Sequence, residues 1–194
     1  MRGRMKLYVA LLIVAVATVG TGVGLLLTRP HQVKLPDTAP IISTEASYLM
    51  GGQDDRLFVY EDGTVIRIWD RNLRISTPGN PPIRTWYTGR LSSTDLEDLK
   101  DLVTSKDFAD LKDTYSLPPP AQSGGGVRGD LDFTVAVNLA ALTKAVQADG
   151  FMSSDGGVTY PDMPYPLNQV YARLHAISEK DTREVAKQKI AGTS

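Results

Sequence analysis

Few side chains of this sequence could do chemistry. The chain has 194 residues, no cysteine and two histidines, His31 and His175. The absence of cysteine excludes disulfides, thiolate metal sites and a thiol nucleophile. His175 would have to serve any Ser-His-Asp triad, and no GxSxG turn is present to hold the serine. We therefore predict no catalytic residue.

Motifs for metals and phosphates are missing as well. There is no HExxH pair, and Asp54-Asp55 and Asp130-x-Asp132 are too sparse for a calcium loop. Gly124 to Gly126 lack the Lys and Ser/Thr that a phosphate-binding P-loop requires. Paired carboxylates for glycoside hydrolysis stay open, because such partners meet only in the folded chain. We expect no cofactor and no metal.

Three aromatic residues form the candidate interaction surface: Trp86, Tyr87 and Tyr160. The first two lie in a predicted strand, IRTWYTG, where core and cross-strand packing is the more common role of aromatic residues. Tyr160 lies in the irregular stretch 150–163, and a loop this long in a compact domain is often functional.

The segment from Leu7 to Leu27, about 21 residues, carries no charge. At about 1.5 Å per residue, a helix of this length crosses a hydrocarbon core of about 30 Å. Arg2, Arg4 and Lys6 precede it, and basic residues stay on the cytoplasmic side. The segment predicts a single transmembrane helix in contact with membrane lipid, with the rest of the chain outside the cell membrane.

The same segment has an alternative interpretation as a cleaved signal peptide. Ala15-Val16-Ala17 has the small-x-small form that signal peptidase accepts, so cleavage after Ala17 would yield a secreted domain. Apolar residues continue past that site to Leu27, which favours an uncleaved signal anchor. Both interpretations place the domain outside the cytoplasm.

The charge of the exported part argues against a nucleic-acid partner. The formal net charge is −1, and three positive charges but no negative charge precede Arg29, so the remainder carries −4. A nucleic-acid surface needs a clustered basic patch. We expect no nucleic acid, and an envelope protein as the candidate macromolecular partner.

Composition divides the chain into five segments. Residues 1–6 are a cytoplasmic basic tail, and 7–27 are the anchor. Three prolines punctuate 28–46 without an apolar period, which predicts a linker. Residues 47–178 form one extracytoplasmic domain, and 179–194 are a charged tail.

Apolar patterning predicts about five strands. Segments 56–60 and 64–69 are rich in β-branched and aromatic residues and flank Asp62-Gly63, which favours a type I′ hairpin turn. Segment 131–139 alternates without a break, as in a strand with one face on a core. The other two predicted strands are 83–89 and 142–148.

Two amphipathic segments predict helices. Ser92 and Asp95 form a capping box, and Leu91 and Leu96 form a hydrophobic staple. A second helix begins at Pro166. Its apolar stripe has helical spacing and consists of Leu167, Val170, Tyr171, Leu174 and Ile177. We therefore predict an α+β fold, an antiparallel sheet of about five strands with two main helices on one face, preceded by one transmembrane helix.

The order of these elements resembles a group of small exported bacterial domains of unknown function. The resemblance covers about residues 56–177 and is carried by Asp62-Gly63-Thr64, by Thr88-Gly89-Arg90-Leu91-Ser92 leading into a helix, and by the strand that begins at Asp130. Some members carry a cysteine-bearing motif in the first strand, which this chain lacks. The resemblance implies an α+β fold and a membrane-anchored, exported setting, and it implies no catalytic residue.

The predicted function is a non-catalytic binding or interaction module held at the outer membrane surface. Its candidate contact surfaces are the loops 72–82, 115–129 and 150–163. One alternative is a small envelope hydrolase with a carboxylate site. The other is a structural accessory subunit of a membrane complex, with the anchor as its contact.

Overall fold

The computed structural model describes residues 33, 35–48, 52–71, 73, 81–116, 131–151, 160 and 162–189. The chain divides into two compact units, Met1–Ala39 and Pro40–Ser194. The helices and strands described below all belong to the second unit.

Eight strands in the described part of the chain form one mixed sheet. They are β1 Ile42–Tyr48, β2 Gln53–Val59, β3 Thr64–Arg71, β4 Ile83–Arg90, β5 Thr114–Ser116, β6 Leu131–Leu139, β7 Leu142–Phe151 and β8 Thr182–Lys189. Their order across the sheet is β5-β7-β6-β1-β2-β3-β4-β8. The short β5 runs parallel to β7, and every other neighbouring pair is antiparallel.

Three helices complete the described fold: α1 Ser93–Thr104, α2 Lys106–Ala109 and α3 Leu167–Lys180. The predicted cap of α1 is confirmed. The backbone N–H of Asp95 donates to the hydroxyl of Ser92 at 3.1 Å, and that hydroxyl donates to the carboxylate of Asp95 at 2.6 Å. Such a cap is worth about 1 kcal/mol. The helix α3 begins at Leu167, one residue after the predicted start at Pro166, which is its N-cap residue.

Strands β2 and β3 confirm the predicted hairpin, but the turn between them is of another type. The amide of Gly63 donates to the carbonyl of Tyr60 at 2.9 Å, and Gly63 has a φ of +83°. The loop is therefore a three-residue loop closed by a left-handed glycine rather than a two-residue type I′ turn. Asp62 accepts hydrogen bonds from the amide and hydroxyl of Thr64, at 2.9 and 2.8 Å, so it acts as a turn residue.

One face of the sheet shares an apolar core with the helices. In β6 the inward residues Leu131, Phe133, Val135 and Val137 are at most 2% exposed, which confirms the predicted alternation. The predicted stripe of α3 is also buried, and α1 adds Leu96, Leu99 and Val103. Full burial of an aliphatic side chain of this size contributes roughly 1.5–3 kcal/mol, so this core holds α1 and α3 on the sheet.

The prediction of an antiparallel sheet of about five strands is wrong. The sheet has eight strands and is mixed, and a short helix, α2, adds to the two main ones. The five predicted segments correspond to β2, β3, β4, β6 and β7. The sequence pattern missed β5 because it has three residues. It missed β1 and β8 because neither shows a clear apolar alternation.

The two missed long strands extend beyond the predicted domain boundaries. β1 begins at Ile42, within the predicted linker, and pairs with β2 on one side and β6 on the other. β8 lies within the predicted charged tail and pairs with β4. The strands thus extend the folded domain at both ends, because main-chain hydrogen bonding needs no apolar side chains.

The described residues contain no helix long and apolar enough to cross a membrane. The segment 7–27, predicted as the transmembrane helix, lies outside the described residues.

Candidate functional site

A buried ion pair lies between the sheet and α3. Asp55 on β2 and Arg67 on β3 are 9% and 7% exposed. Arg67 donates from Nε to both carboxylate oxygens of Asp55, at 3.0 and 3.1 Å, and from Nη2 to Oδ2 at 2.8 Å. This fork-shaped contact is the strong form of an arginine–carboxylate pair.

The remaining nitrogen of Arg67 connects the hairpin to the end of α3. Its Nη1 donates to the carbonyl of Ser178 at 3.2 Å and to the carboxylate of Glu179 at 2.8 Å. A cation near the C-terminus of a helix also interacts favourably with the helix dipole. The rings of Trp69 and Tyr87 lie 5.2 and 5.3 Å from the guanidinium carbon, within the range of a cation–π contact.

Burial raises the pKa of Asp55 above its ordinary value, although the hydrogen bonds and the charge of Arg67 act in the opposite direction. A carboxyl group removed from water favours its neutral form. Burial therefore disfavours the ionised form of Asp55, and the hydrogen bonds and charge of Arg67 stabilise it.

A small cavity lies beside this pair. Asp55 and His175 both line it, together with Tyr48 and Tyr171, whose hydroxyl oxygens are 3.1 Å apart. Burial raises the pKa of Tyr171 above its ordinary value. The cavity has a volume of about 20 Å³. A space of this size holds about one water molecule and no substrate.

A second carboxylate is buried on the opposite face of the sheet. Asp70 of β3 is 3% exposed and accepts two hydrogen bonds from Arg84, both at 2.7 Å, and one from Arg56 at 2.5 Å. Like Asp55, Asp70 has both carboxylate oxygens hydrogen-bonded to arginine. Neither carboxylate is presented to solvent for catalysis.

A basic groove lies at the other end of β3. Its lining residues are Thr64, Thr88, Gly89, Arg90, Lys180, Asp181, Thr182 and Arg183, and its volume is about 520 Å³. The backbone of β4 runs close to the turn between α3 and β8 here. A Cβ atom at Gly89 would lie 1.7 Å from the carbonyl oxygen of Asp181, so only glycine fits.

Three cations line this basic groove: Arg90, Lys180 and Arg183. None of them forms an ion pair with a residue that the structure describes. Most other cations in the described sheet and helices are paired, among them Arg56, Arg67, Arg84, Lys100, Lys144 and Arg173. The groove thus collects positive charge that no described ion pair neutralises, although the charges of Arg90 and Asp62 attract one another at longer range.

The three aromatic residues predicted as an interaction surface differ in their exposure. Trp86 and Tyr160 are buried, at 8% and 1% exposure, and Tyr87 is partly exposed beside Arg67. Tyr160 instead packs edge-to-face on Tyr171, with ring centroids 5.0 Å apart. Most residues of the three loops predicted as contact surfaces lie outside the described residues.

Sequence reasoning missed both the buried pair and the basic groove. A signal for the pair existed, because Arg67 is a single charge within the apolar run TVIRIW, and a charge in such a strand needs a buried partner. The groove had no local signal, since its residues come from β3, β4, α3 and β8. No group of three or more His, Asp or Glu suited to a metal occurs among the described residues.

Comparison of the chain with protein-family models, with curated proteins and with solved structures finds no match. The resemblance to small exported bacterial domains stays a prediction from the sequence.

Proposed function

We propose that this chain is a non-catalytic interaction module of the cell envelope, which binds an extended segment of a partner protein along strand β8. The apolar segment 7–27 would hold it at the outer surface of the membrane. The observation that carries the proposal is the exposed outer edge of β8.

β8 is an edge strand of useful length. It has eight residues, six of them exposed, and its outer edge pairs with no strand in the part of the chain that the structure describes. Such an edge offers a row of backbone N–H and C=O groups. Addition of a partner strand to a free edge is a common form of peptide recognition.

The charges of β8 favour an acidic partner segment. Arg183, Lys187 and Lys189 are positive, and Glu184 is the one negative residue of the strand. Lysine on an edge strand disfavours pairing between identical edges, because like charges oppose one another. The same charges attract an acidic segment, so a partner of opposite charge fits this edge better than a second copy of the chain.

The hydrolase alternative has one observation in its favour, the convergence of Asp55 and His175 on one cavity. A catalytic site needs room for the reacting atoms of a substrate. The cavity of about 20 Å³ lacks that room, and Arg67 occupies both oxygens of Asp55. We therefore keep the interaction module as the proposal.

Site-specific photo-crosslinking tests the proposal in cells that produce the full-length protein. Benzoylphenylalanine at Gln188, exposed on β8, should capture one dominant envelope protein. The same probe at Glu97, exposed on α1, is the control. The charge reversal Lys187→Glu with Lys189→Glu should abolish the crosslink.

A matched control reverses Lys106 and Lys112 instead, which are exposed and lie outside β8. Replacement of segment 7–27 by an unrelated anchor should leave the crosslink intact, and its loss would favour the accessory-subunit alternative. Equal capture from Gln188 and Glu97, or none above background, would count against binding along β8.

A further inference from the structure

The basic groove lined by Arg90, Lys180 and Arg183 combines room and charge. Its volume of about 520 Å³ lies within the range of small-molecule sites, about 300–1,000 Å³. Its lining carries three positive charges and one negative charge, that of Asp181. The chain as a whole has a formal net charge of −1, so this local excess runs against the average.

Asp62 and the hydroxyl groups of Thr88 and Thr182 already have hydrogen-bond partners. Asp62 bonds to the amide and hydroxyl of Thr64, at 2.9 and 2.8 Å. The hydroxyl of Thr88 donates to the carbonyl of Val65 at 3.3 Å, and that of Thr182 donates to Ser178 at 2.7 Å. The N–H groups of the two arginines and the lysine are therefore the donors that the groove offers to a ligand.

This set of donors selects for a particular ligand chemistry. Guanidinium groups match the oxygens of phosphate through two parallel hydrogen bonds, and lysine adds a point charge. A phosphate group carries the concentrated negative charge that several cations together can neutralise. We propose that the basic groove binds a phosphate group, borne either by a soluble phosphate ester or by a lipid headgroup.

Close backbone packing forms the base of the groove. The backbone of Gly89 lies against the carbonyl of Asp181, which holds the start of β8 close to β4. Arg90 extends from β4, Lys180 from the last turn of α3 and Arg183 from β8. Three cations from three elements are thus brought to one groove by packing, at a cost in mutual repulsion that a bound anion would relieve.

The inference does not require the proposed protein partner of β8, although Arg183 belongs to both the groove and the strand. Its key residues Arg90 and Lys180 lie outside that strand, so substitutions there test the groove while the residues of β8 stay intact. Failure of β8 to capture a protein would leave the groove untouched, and failure of the groove to bind phosphate would leave the β8 proposal standing.

The test is calorimetric titration of the full-length chain, in an uncharged maltoside detergent, with sn-glycerol 3-phosphate. Glycerol serves as the uncharged comparison ligand. We expect saturable binding of the phosphate ester and none of glycerol. The double variant Arg90→Gln with Lys180→Gln should weaken binding about tenfold or more, since each substitution removes a charge-assisted hydrogen bond.

The matched control is Lys106→Gln with Lys112→Gln, which removes the same charge from exposed positions outside the groove. It should bind as the wild type does. Thermal unfolding of both variants checks that they fold. Equal affinities of the groove variant and the control variant, or no saturable binding by the wild type, would overturn the inference.

Lipid nanodiscs distinguish the two sources of the phosphate. If the natural ligand is a lipid headgroup, phosphatidylglycerol in the disc should compete with glycerol 3-phosphate and raise its apparent Kd relative to discs of phosphatidylcholine alone. If the ligand is a soluble ester, the Kd should be the same in both discs. In each case the groove variant should weaken the binding that remains by about tenfold or more.

Discussion

The C-terminal end of α3 supplies residues to two regions that treat charge in opposite ways. Ser178 and Glu179 face Arg67, where every charge has a partner and the adjoining cavity holds about one water molecule. Lys180 and Arg183 line the basic groove, where the cations have no described ion-pair partner and the space is about 520 Å³. The first region is built to hold α3 on the sheet, and the second leaves its charge available to a ligand.

The comparison shows why charge alone does not mark a functional site. Arg67 and Arg90 are both arginines of the central hairpins, yet one is buried in a network and the other faces an open groove. What separates them is desolvation, because a buried charge without a partner costs several kcal/mol while an exposed one costs little. Substitutions in the two regions should therefore have different consequences for stability.

The largest expected effect is that of Arg67→Met. The substitution leaves Asp55 buried without a counter-ion and removes the bonds to Ser178 and Glu179. We expect the free energy of unfolding to fall by about 3–5 kcal/mol, measured by urea denaturation of the full-length chain. Arg183→Met in the basic groove is the control and should change it by less than about 0.5 kcal/mol. If Arg67→Met lowered the free energy of unfolding as little as Arg183→Met, the buried pair would contribute no more to stability than the basic groove.

A double substitution tests whether the loss in Arg67→Met comes from the unpaired charge of Asp55. Asp55→Leu combined with Arg67→Met replaces the ion pair by an apolar pair of similar volume. Because buried ion pairs often contribute little more than such a replacement, most of the stability lost in Arg67→Met should return. A double-mutant cycle of urea unfolding should give a coupling energy of about 2 kcal/mol or more between the two positions. A coupling near zero would mean that the two side chains act independently.

The pH dependence of stability should have opposite signs at two aspartates. Burial raises the pKa of Asp55 above 3.8, so its stabilising contribution is present below pH 3.8 and is lost as the pH rises through the folded-state pKa. Hydrogen bonds from Ser92 and then Arg173 lower the pKa of Asp95 below 3.8. Its contribution is therefore present above pH 3.8 and is lost as the pH falls through the lowered pKa.

Urea unfolding between pH 7 and pH 3 measures this difference. The stability gap between the wild type and Asp55→Asn should widen on acidification, whereas the gap for Asp95→Asn should close. If the stability gaps of the two variants changed with pH in the same direction, the assignment of a raised pKa to Asp55 and a lowered pKa to Asp95 would be contradicted.

Local patterns predicted the parts of this fold that depend on local physics. The alternation of 131–139 identified β6, and the stripe from Leu167 to Ile177 identified α3, because each buries one face at a fixed period. The Ser92 cap was predictable since its hydrogen bonds close within three residues. These elements form the helix-covered core, and their burial could be inferred without knowledge of neighbouring strands.

The remaining elements depend on contacts that are distant in sequence. β8 is held to β4 by backbone pairing across about one hundred residues of sequence, and its side chains are mostly exposed, so no apolar period marks it. The pattern left Trp86 open between the surface and core packing, because the burial of a strand residue depends on what covers its face; in the structure it is 8% exposed. The role of Asp55 likewise becomes visible only through its pairing with Arg67.

The smallest expected effect concerns the basic groove itself. Arg90→Gln with Lys180→Gln removes two cations that have no described partner, so the free energy of unfolding should change by no more than about 0.5 kcal/mol. At low salt the free energy of unfolding should rise slightly, since the substitutions relieve repulsion among like charges. That gain should disappear in 1 M NaCl, where the screening length falls to about 3 Å. Urea unfolding at both salt concentrations measures this change, with Lys106→Gln and Lys112→Gln as the control.

A loss of unfolding free energy above about 1 kcal/mol would show that Arg90 and Lys180 support the fold. The basic groove and the buried pair of Arg67 would then differ only in how much they stabilise the protein.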